Sequence, residues 1–163
     1  MAILKERKKC LGVGIDISKK AINLAKYNAK IQHIRNRVKF LNSDIDNFCR
    51  DKYDLIVSNP PYIKCFAINE LDKDIKNYEP KVALNGGVDG YSKIRLIIKK
   101  SSTLVKRKGK LILEVGLGQI RETKKILELN GFYINRIAKD LAGINRCIVS
   151  TKIWSKKINN EKF

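Results

Sequence analysis

The chain has 163 residues, of which 44% are hydrophobic, and its formal net charge is +19. This length and composition suit one globular domain with a sizeable core, and they exclude an intrinsically disordered chain. No apolar run approaches the roughly 20 residues of a membrane span. The first residues, MAILKERKK, lack the apolar segment of a signal peptide, so we expect a cytoplasmic, monomeric protein without membrane contact.

The positive charge comes from 35 lysines and arginines against 16 acidic residues. Such a balance favours proximity to nucleic acid or to the RNA-rich ribosome. The lysines are spread along the chain rather than clustered, so solvated helix faces and a lysine-rich genomic composition explain the charge equally well.

The cysteines are scattered and form no CxxC pair: Cys10, Cys49, Cys65 and Cys147. With His33 as the one histidine, a zinc site has few candidate ligands. This usage predicts reduced, partly buried thiols.

The first part of the chain alternates between strand and helix patterns. Apolar runs predict strands at 11–16, 38–41 and 53–58. A helix is predicted after Ser18, which is a suitable N-cap residue. Residues 63–90 then form a long irregular stretch, and a connection of this length indicates a functional loop.

The second part continues the alternation and ends in strands. Helices are predicted at 91–105 and 120–129, around a strand at 110–115, and Gly131 is a fitting stop for the second helix. The last two strand patterns, joined by KDLAGIN, predict an antiparallel hairpin at 132–138 and 146–154. We therefore predict an α/β fold with an open, mostly parallel sheet and a C-terminal antiparallel hairpin. Residues 1–154 form the predicted domain and 155–163 a polar tail.

Three polar side chains stand at or just after the ends of predicted strands: Asp16, Asp44 and Asn59. Sheets of this kind bind ligands outside the carboxyl ends of their strands. A carboxylate at Asp16 could accept hydrogen bonds from both hydroxyls of a ribose, or could serve as an acidic helix-start residue. Asp44 could receive the exocyclic amine of an adenine, with Ile45 against the base, or could be an ordinary turn aspartate.

The tetrapeptide NPPY follows the third strand directly. Asn59 offers an amide oxygen, and Pro60 lacks an N–H but keeps a carbonyl that accepts hydrogen bonds. Two such acceptors suit both hydrogens of a planar NH2 group, and Tyr62 could lie against its flat face. Pro60 and Pro61 restrict the backbone, so the motif predicts a preorganised clamp for a planar NH2 group.

At NPPY the sequence resembles the class I S-adenosylmethionine-dependent methyltransferases that modify planar amide or amine nitrogens. The stretch NYEPKVALNGGVDGYSKI, at 77–94, resembles the HemK-type release-factor glutamine methyltransferases, as do LILEVGLGQ and KDLAGINRCIV. The resemblance implies a Rossmann-like sheet and methyl transfer from S-adenosyl-L-methionine to the glutamine amide in the GGQ loop of peptide-chain release factors. It assigns Asn59, Pro60, Pro61 and Tyr62 to the substrate amide. It assigns the cofactor to Asp16, Asp44, Ile45 and Asn59.

The sequence also departs from this family. The family's first strand, its glycine-rich DxGxGxG loop and its N-terminal helical domain have no counterpart, and MAILKERKK resembles the end of the family's first helix. We therefore expect a truncated or split reading frame, and strands ending at Asp16 and Ser58 without their shared neighbour. Weak or absent cofactor binding is also expected.

Three other functions remain open at this point. One is a methyltransferase for a glutamine in a ribosomal protein. Another is an adenine-specific nucleic-acid methyltransferase, which the charge favours and the 77–94 stretch disfavours. The third is an inactive, basic remnant of the enzyme, which the missing cofactor loop favours.

Overall fold

A computed structural model describes residues 1–72 and 80–153. The chain divides into two compact units, Met1–Cys49 and Arg50–Phe163. The beginning of the NYEP stretch, Asn77 to Glu79, and the predicted tail, 155–163, lie outside the described residues. No helix in the described ranges is long and apolar enough to cross a membrane.

The first unit is a β-α-β arrangement preceded by a short helix. Its elements in chain order are α1 (Ala2–Glu6), β1 (Gly12–Asp16), α2 (Lys19–Ile31) and β2 (Val38–Asn42). The two strands are parallel, with Gly12 opposite Val38 and Asp16 opposite Asn42. Ser18 Oγ accepts a hydrogen bond from the Ala21 N–H at 3.2 Å, which confirms the predicted N-cap.

The core of the first unit consists of Leu4, Ala29 and Ile34, with Phe40 packed against it. The glycines of β1 make this packing possible. A Cβ at Gly12 would lie 3.0 Å from Leu4 Cδ1, and a Cβ at Gly14 would lie 2.8 Å from Phe40 Cδ1. The GVG sequence is therefore a packing feature inside a strand, because larger residues there would displace the core side chains.

The second unit contains a four-stranded sheet covered by helices. Its elements are β3 (Tyr53–Ser58), α3 (Lys81–Leu84), α4 (Ser92–Leu104), β4 (Val105–Glu114), α5 (Ile120–Leu129), β5 (Phe132–Lys139) and β6 (Asn145–Lys152). The strand order is β3-β4-β6-β5. β3 and β4 are parallel, whereas β6 runs antiparallel to both β4 and β5, so the predicted C-terminal hairpin is confirmed.

The core of the second unit lies between this sheet and its helices. The side chains that are fully or almost fully buried there are mostly aliphatic: Ile94, Ile98, Leu111, Leu113, Val115, Leu127, Phe132 and Ile148. Ile94 and Ile98 are four residues apart in α4, so they share one face of that helix. The alternating positions Leu111, Leu113 and Val115 come from β4 and its end, as expected when one face of a strand is buried.

Within the described residues, β1 and β3 belong to separate sheets. Two predictions from the sequence need correction. β4 begins at Val105 rather than at residue 110, because Val105 already pairs with Tyr53 of β3. The pairing then shifts register, and Lys108 within this part of the strand takes a left-handed conformation (φ 64°). The thiols of Cys10, Cys49 and Cys65 are free but exposed, and Cys147 alone among the four is half-buried.

Candidate functional site

The carboxylate of Asp16 stands at the end of β1. Its Oδ1 accepts a hydrogen bond from the Ser18 N–H at 2.7 Å, which shapes the turn into α2. The Asp16 side chain is exposed, and its second oxygen has no hydrogen bond within the described ranges. The structure therefore shows Asp16 organising the turn into α2 with one oxygen, and the other oxygen remains exposed without a hydrogen bond to the described residues.

Asp44 follows β2 and begins a short 3-10 turn, Ile45–Asn47. Its Oδ1 accepts from the Asp46 N–H at 3.1 Å, and both Asp44 and Ile45 are half-buried. Asn42 Nδ2 donates to the main-chain oxygens of Asp16 and Ile17, at 2.9 and 2.8 Å, and so joins the two strand ends. Because β1 and β2 are parallel neighbours, Asp16 at the end of β1 and Asp44 just after β2 lie at the same edge of their sheet.

The NPPY motif begins immediately after β3, whose last residue, Ser58, pairs with Leu113. Asn59 is exposed, and neither its side-chain amide nor the Pro60 carbonyl is hydrogen-bonded within the described part of the chain. Pro60 itself is buried, and the Tyr62 ring packs against the core of the second unit. The two predicted acceptors are thus available, while the residues around them are held by packing.

Three glycines surround Tyr62 so closely that a larger residue would collide with it. A Cβ at Gly86 would lie 2.8 Å from Tyr62 C and Cα, and one at Gly90 would lie 2.7 Å from Tyr62 O. A Cβ at Gly116 would lie 2.9 Å from the ring atom Cδ2. Gly86 of GG, Gly90 of DG and Gly116 of EVG therefore have a physical role, because they let the loop at 86–90 and the turn at Gly116 approach the motif.

The backbone that follows Tyr62 is bound to the loop at residues 84–87. The Ile63 N–H donates to Leu84 O at 3.1 Å, the Gly86 N–H donates to Ile63 O at 2.8 Å, and the Cys65 N–H donates to Gly87 O at 3.0 Å. Ile63 and Asn85 thereby form an isolated parallel β-bridge outside the named strands. The long irregular stretch predicted from the sequence is thus partly ordered by the motif itself.

The loop is closed by a charged contact. Arg95 donates to Asp89 Oδ2 at 2.7 Å, and the Tyr91 N–H donates to Asp89 Oδ1 at 2.9 Å. These hydrogen bonds lower the pKa of the Asp89 carboxyl, and the one from Arg95 has the largest effect. Burial raises the pKa of the adjacent Tyr91, and the charges of Glu122 and Asp89 raise it further. The Asp89 carboxylate therefore links the loop to the first turn of α4 through a half-exposed ion pair.

Gln119 is a site residue that sequence reasoning missed. It precedes α5 and is 8% exposed. Its Oε1 accepts from the Gly116 N–H at 2.9 Å, and its Nε2 donates to Tyr62 O at 3.1 Å and to Gly90 O at 3.2 Å. The available signal was a glutamine at a helix start, in the GLGQ turn, but two of its three partners, Tyr62 and Gly90, are distant in sequence.

The structure places the predicted residues in two groups. Asp16, Asp44 and Ile45 lie in the first unit, while Asn59 to Tyr62 lie in the second unit. Within each unit the predicted residues lie at or just after strand ends, as the fold predicts.

The family model described as "Methyltransferase small domain" matches residues 1–73. The chain is 40% identical over 140 residues to a release factor glutamine methyltransferase of Thermodesulfovibrio yellowstonii, covering 85% of this chain and 50% of the relative. It is also 40% identical over 154 residues to that of Fusobacterium nucleatum, covering 93% of this chain and 43% of the relative. The chain thus spans about half the length of these relatives.

Among solved structures, a methyltransferase from Pyrococcus furiosus matches with a TM-score of 0.67 and 13% identity, covering 94% of this chain and 68% of the other. At this identity the likeness concerns the fold alone. The predicted Rossmann-like methyltransferase fold is confirmed, and over most of its length the chain is similar in sequence to about half of each of these release factor glutamine methyltransferases.

Proposed function

We propose that this chain takes part in S-adenosylmethionine-dependent methylation of the glutamine side-chain amide in the GGQ loop of peptide-chain release factors. The observation that carries the proposal is a pair of hydrogen-bond acceptors in the NPPY motif. Two hydrogen-bond acceptors, Asn59 Oδ1 and Pro60 O, have no partner in the described residues, on a backbone fixed on both sides. The relatives' name, release factor glutamine methyltransferase, supports the substrate.

The motif suits a primary amide because such a group is planar and carries two N–H hydrogens. Asn59 Oδ1 and Pro60 O would accept one hydrogen each, and the Tyr62 ring would lie against the flat face of the amide. An amide nitrogen is a poor nucleophile because its lone pair is delocalised. The two oxygens would stabilise the positive charge that develops on the nitrogen as it is methylated, before its proton leaves to water.

The residues of the first unit fit the adenosine part of the cofactor. The second oxygen of Asp16, which has no hydrogen bond to the described residues, suits the ribose hydroxyls. Asp44 suits the edge of the adenine, and the half-buried Ile45 suits its face. The resemblance places Asn59 near the methionine end. When bound, S-adenosylmethionine supplies a methyl group that is activated by a positively charged sulfur. The binding residues contribute position rather than chemistry.

A cytoplasmic, monomeric protein is part of the proposal, because release factors act in the cytoplasm. Proximity to the ribosome is compatible with the net charge of +19, which composition explains equally well.

The test is methyl transfer by the purified 163-residue chain, measured by mass spectrometry of the acceptor. A release factor, a ribosomal protein and duplex DNA are offered separately, and calorimetry with S-adenosylmethionine reports cofactor binding. We expect methylated glutamine in the release factor alone, together with the weak cofactor binding that the sequence predicts. A folded chain that binds no cofactor, or that methylates only another acceptor, would contradict the proposal.

The motif is tested in the same assay with Asn59→Ala. Removal of one preorganised acceptor should lower the methylation rate by about 100-fold, as for other positioned hydrogen-bonding groups at reacting centres. Asn69→Ala is the matched control, because Asn69 is also exposed and lies outside the motif. An unchanged rate in Asn59→Ala would show that Asn59 has no role in methyl transfer.

A further inference from the structure

We propose that Gln119 is a positioning residue that holds the NPPY motif in its reactive geometry, an inference that rests on the proposed function. Its side-chain amide connects three backbone segments that are far apart in sequence. They are the end of the motif at Tyr62, the loop at Gly90 and the turn at Gly116.

The Gln119 amide is used almost completely by these contacts. Nε2 has two hydrogens and two carbonyl acceptors, Tyr62 O at 3.1 Å and Gly90 O at 3.2 Å, while Oε1 receives the Gly116 N–H at 2.9 Å. The side chain is 8% exposed, so water does not readily replace these partners. A glutamine is required because only a primary amide donates twice and accepts at this length.

The contact with Tyr62 O fixes a particular peptide group. On one side of the Tyr62–Ile63 peptide, the carbonyl accepts from Gln119, and on the other side the Ile63 N–H donates to Leu84 O at 3.1 Å. Within the described residues, Gln119 is the hydrogen-bond donor to Tyr62 O. The orientation of this peptide plane therefore depends on Gln119.

The peptide plane matters because the reactive acceptors have no fixing hydrogen bonds of their own. Asn59 Oδ1 and Pro60 O lie between two anchors, the paired end of β3 at Ser58 and the Tyr62–Ile63 peptide. The two prolines transmit a change at one anchor because they have little backbone freedom. Loss of the Gln119 anchor should therefore shift both acceptors, and a shift of about 1 Å is enough to reduce a reaction rate by about 100-fold.

Two variants of similar length separate the contacts. Gln119→Glu keeps an oxygen to accept the Gly116 N–H, but it replaces the donor to Tyr62 O and Gly90 O by a second acceptor. Gln119→Met removes all three hydrogen bonds while preserving an unbranched side chain. Gln32, which ends α2 in the first unit, provides the matched control Gln32→Met.

Amide hydrogen exchange is measured first, because it does not depend on activity. In Gln119→Glu we expect Gly116 to keep its protection and Ile63 to exchange at least about tenfold faster. In Gln119→Met both amides should exchange faster. Unchanged exchange at Ile63 in both folded variants would overturn the inference, and Gln32→Met should leave both amides unchanged.

Methylation of the release factor is measured next with the same proteins. A positioning role predicts that kcat falls by about 10- to 100-fold in both Gln119 variants, and that it falls more than the affinity for S-adenosylmethionine, whose adenosine part is assigned to the first unit. An unchanged kcat would overturn the inference. If the wild-type chain methylates no glutamine, the proposed function is wrong, and the exchange of Ile63 still decides whether Gln119 anchors the motif.

Discussion

Gly86→Ala tests the close approach of the loop to the NPPY motif. An added Cβ would lie 2.8 Å from Gly90 O and 2.8 Å from both C and Cα of Tyr62. Non-bonded carbon atoms prefer separations of about 3.5 Å or more, so Tyr62 would have to move by about 0.7 Å, the difference between these distances. All three contacts are backbone atoms, so no side-chain rotation relieves them.

The expected cost of Gly86→Ala is steric. Gly86 is not among the described residues with positive φ, so an alanine at this position adopts the backbone without strain. Overpacking of this kind lowers the free energy of unfolding by about 1–3 kcal/mol. We also expect faster amide exchange at Ile63 and slower methylation of a release factor, because the displacement falls on the motif.

The assays are urea unfolding and amide hydrogen exchange, with Gly118→Ala as the control. Gly118 has φ +77° and no neighbouring atom within 4 Å of an added Cβ. Its substitution should therefore lower stability by about 1–2 kcal/mol through backbone strain and leave the exchange of Ile63 unchanged. If Gly86→Ala has the stability and Ile63 exchange of the wild type, the proposed packing of Tyr62 against Gly86 is wrong.

Two further predictions concern other parts of the chain. We expect Asp16→Asn to weaken S-adenosylmethionine binding by about tenfold or more, because a charge-assisted hydrogen bond to the ribose is lost; equal affinities in calorimetry would contradict this role. Lys152 is 4% exposed, its Nζ donates to Asn130 O at 2.7 Å, and burial lowers its pKa below the ordinary 10.5. Between the folded pKa and 10.5 the unfolded chain binds more protons, so the lysine's contribution to stability rises with pH in that window. In urea unfolding, the free energy of unfolding of the wild type should therefore rise relative to that of Lys152→Met as the pH approaches about 10. A difference between the two proteins that does not change with pH would refute the lowered pKa of Lys152.

Much of the fold was predictable because its signals are local. β1, β2 and β3 are short apolar runs, and the Ser18 hydroxyl is a local N-cap signal. The same locality explains why the predicted site residues follow strand ends: a polar residue just after a buried strand lies at the ligand-binding edge of such a sheet. The boundaries were less predictable, since β4 begins at Val105, whose partner Tyr53 is distant in sequence, and continues through a basic segment where the pairing with β3 shifts register.

The exposure of the thiols was also beyond the sequence. A free cysteine is usually buried, but exposure depends on which neighbours cover a position, and Cys10, Cys49 and Cys65 lie outside regular elements. Composition therefore predicted the wrong environment for three of the four residues.

The sequence by itself determined the chemistry of the NPPY motif, because its acceptors and stiff prolines are adjacent in the chain. Only the tertiary structure decided how the motif is held. Tyr62, Gly90 and Gln119 are separated by tens of residues, and a hydrogen bond between them leaves no periodic pattern in the sequence. The physical reason is that a side-chain amide has the same composition whether it faces solvent or joins buried backbone segments, and packing alone distinguishes these states.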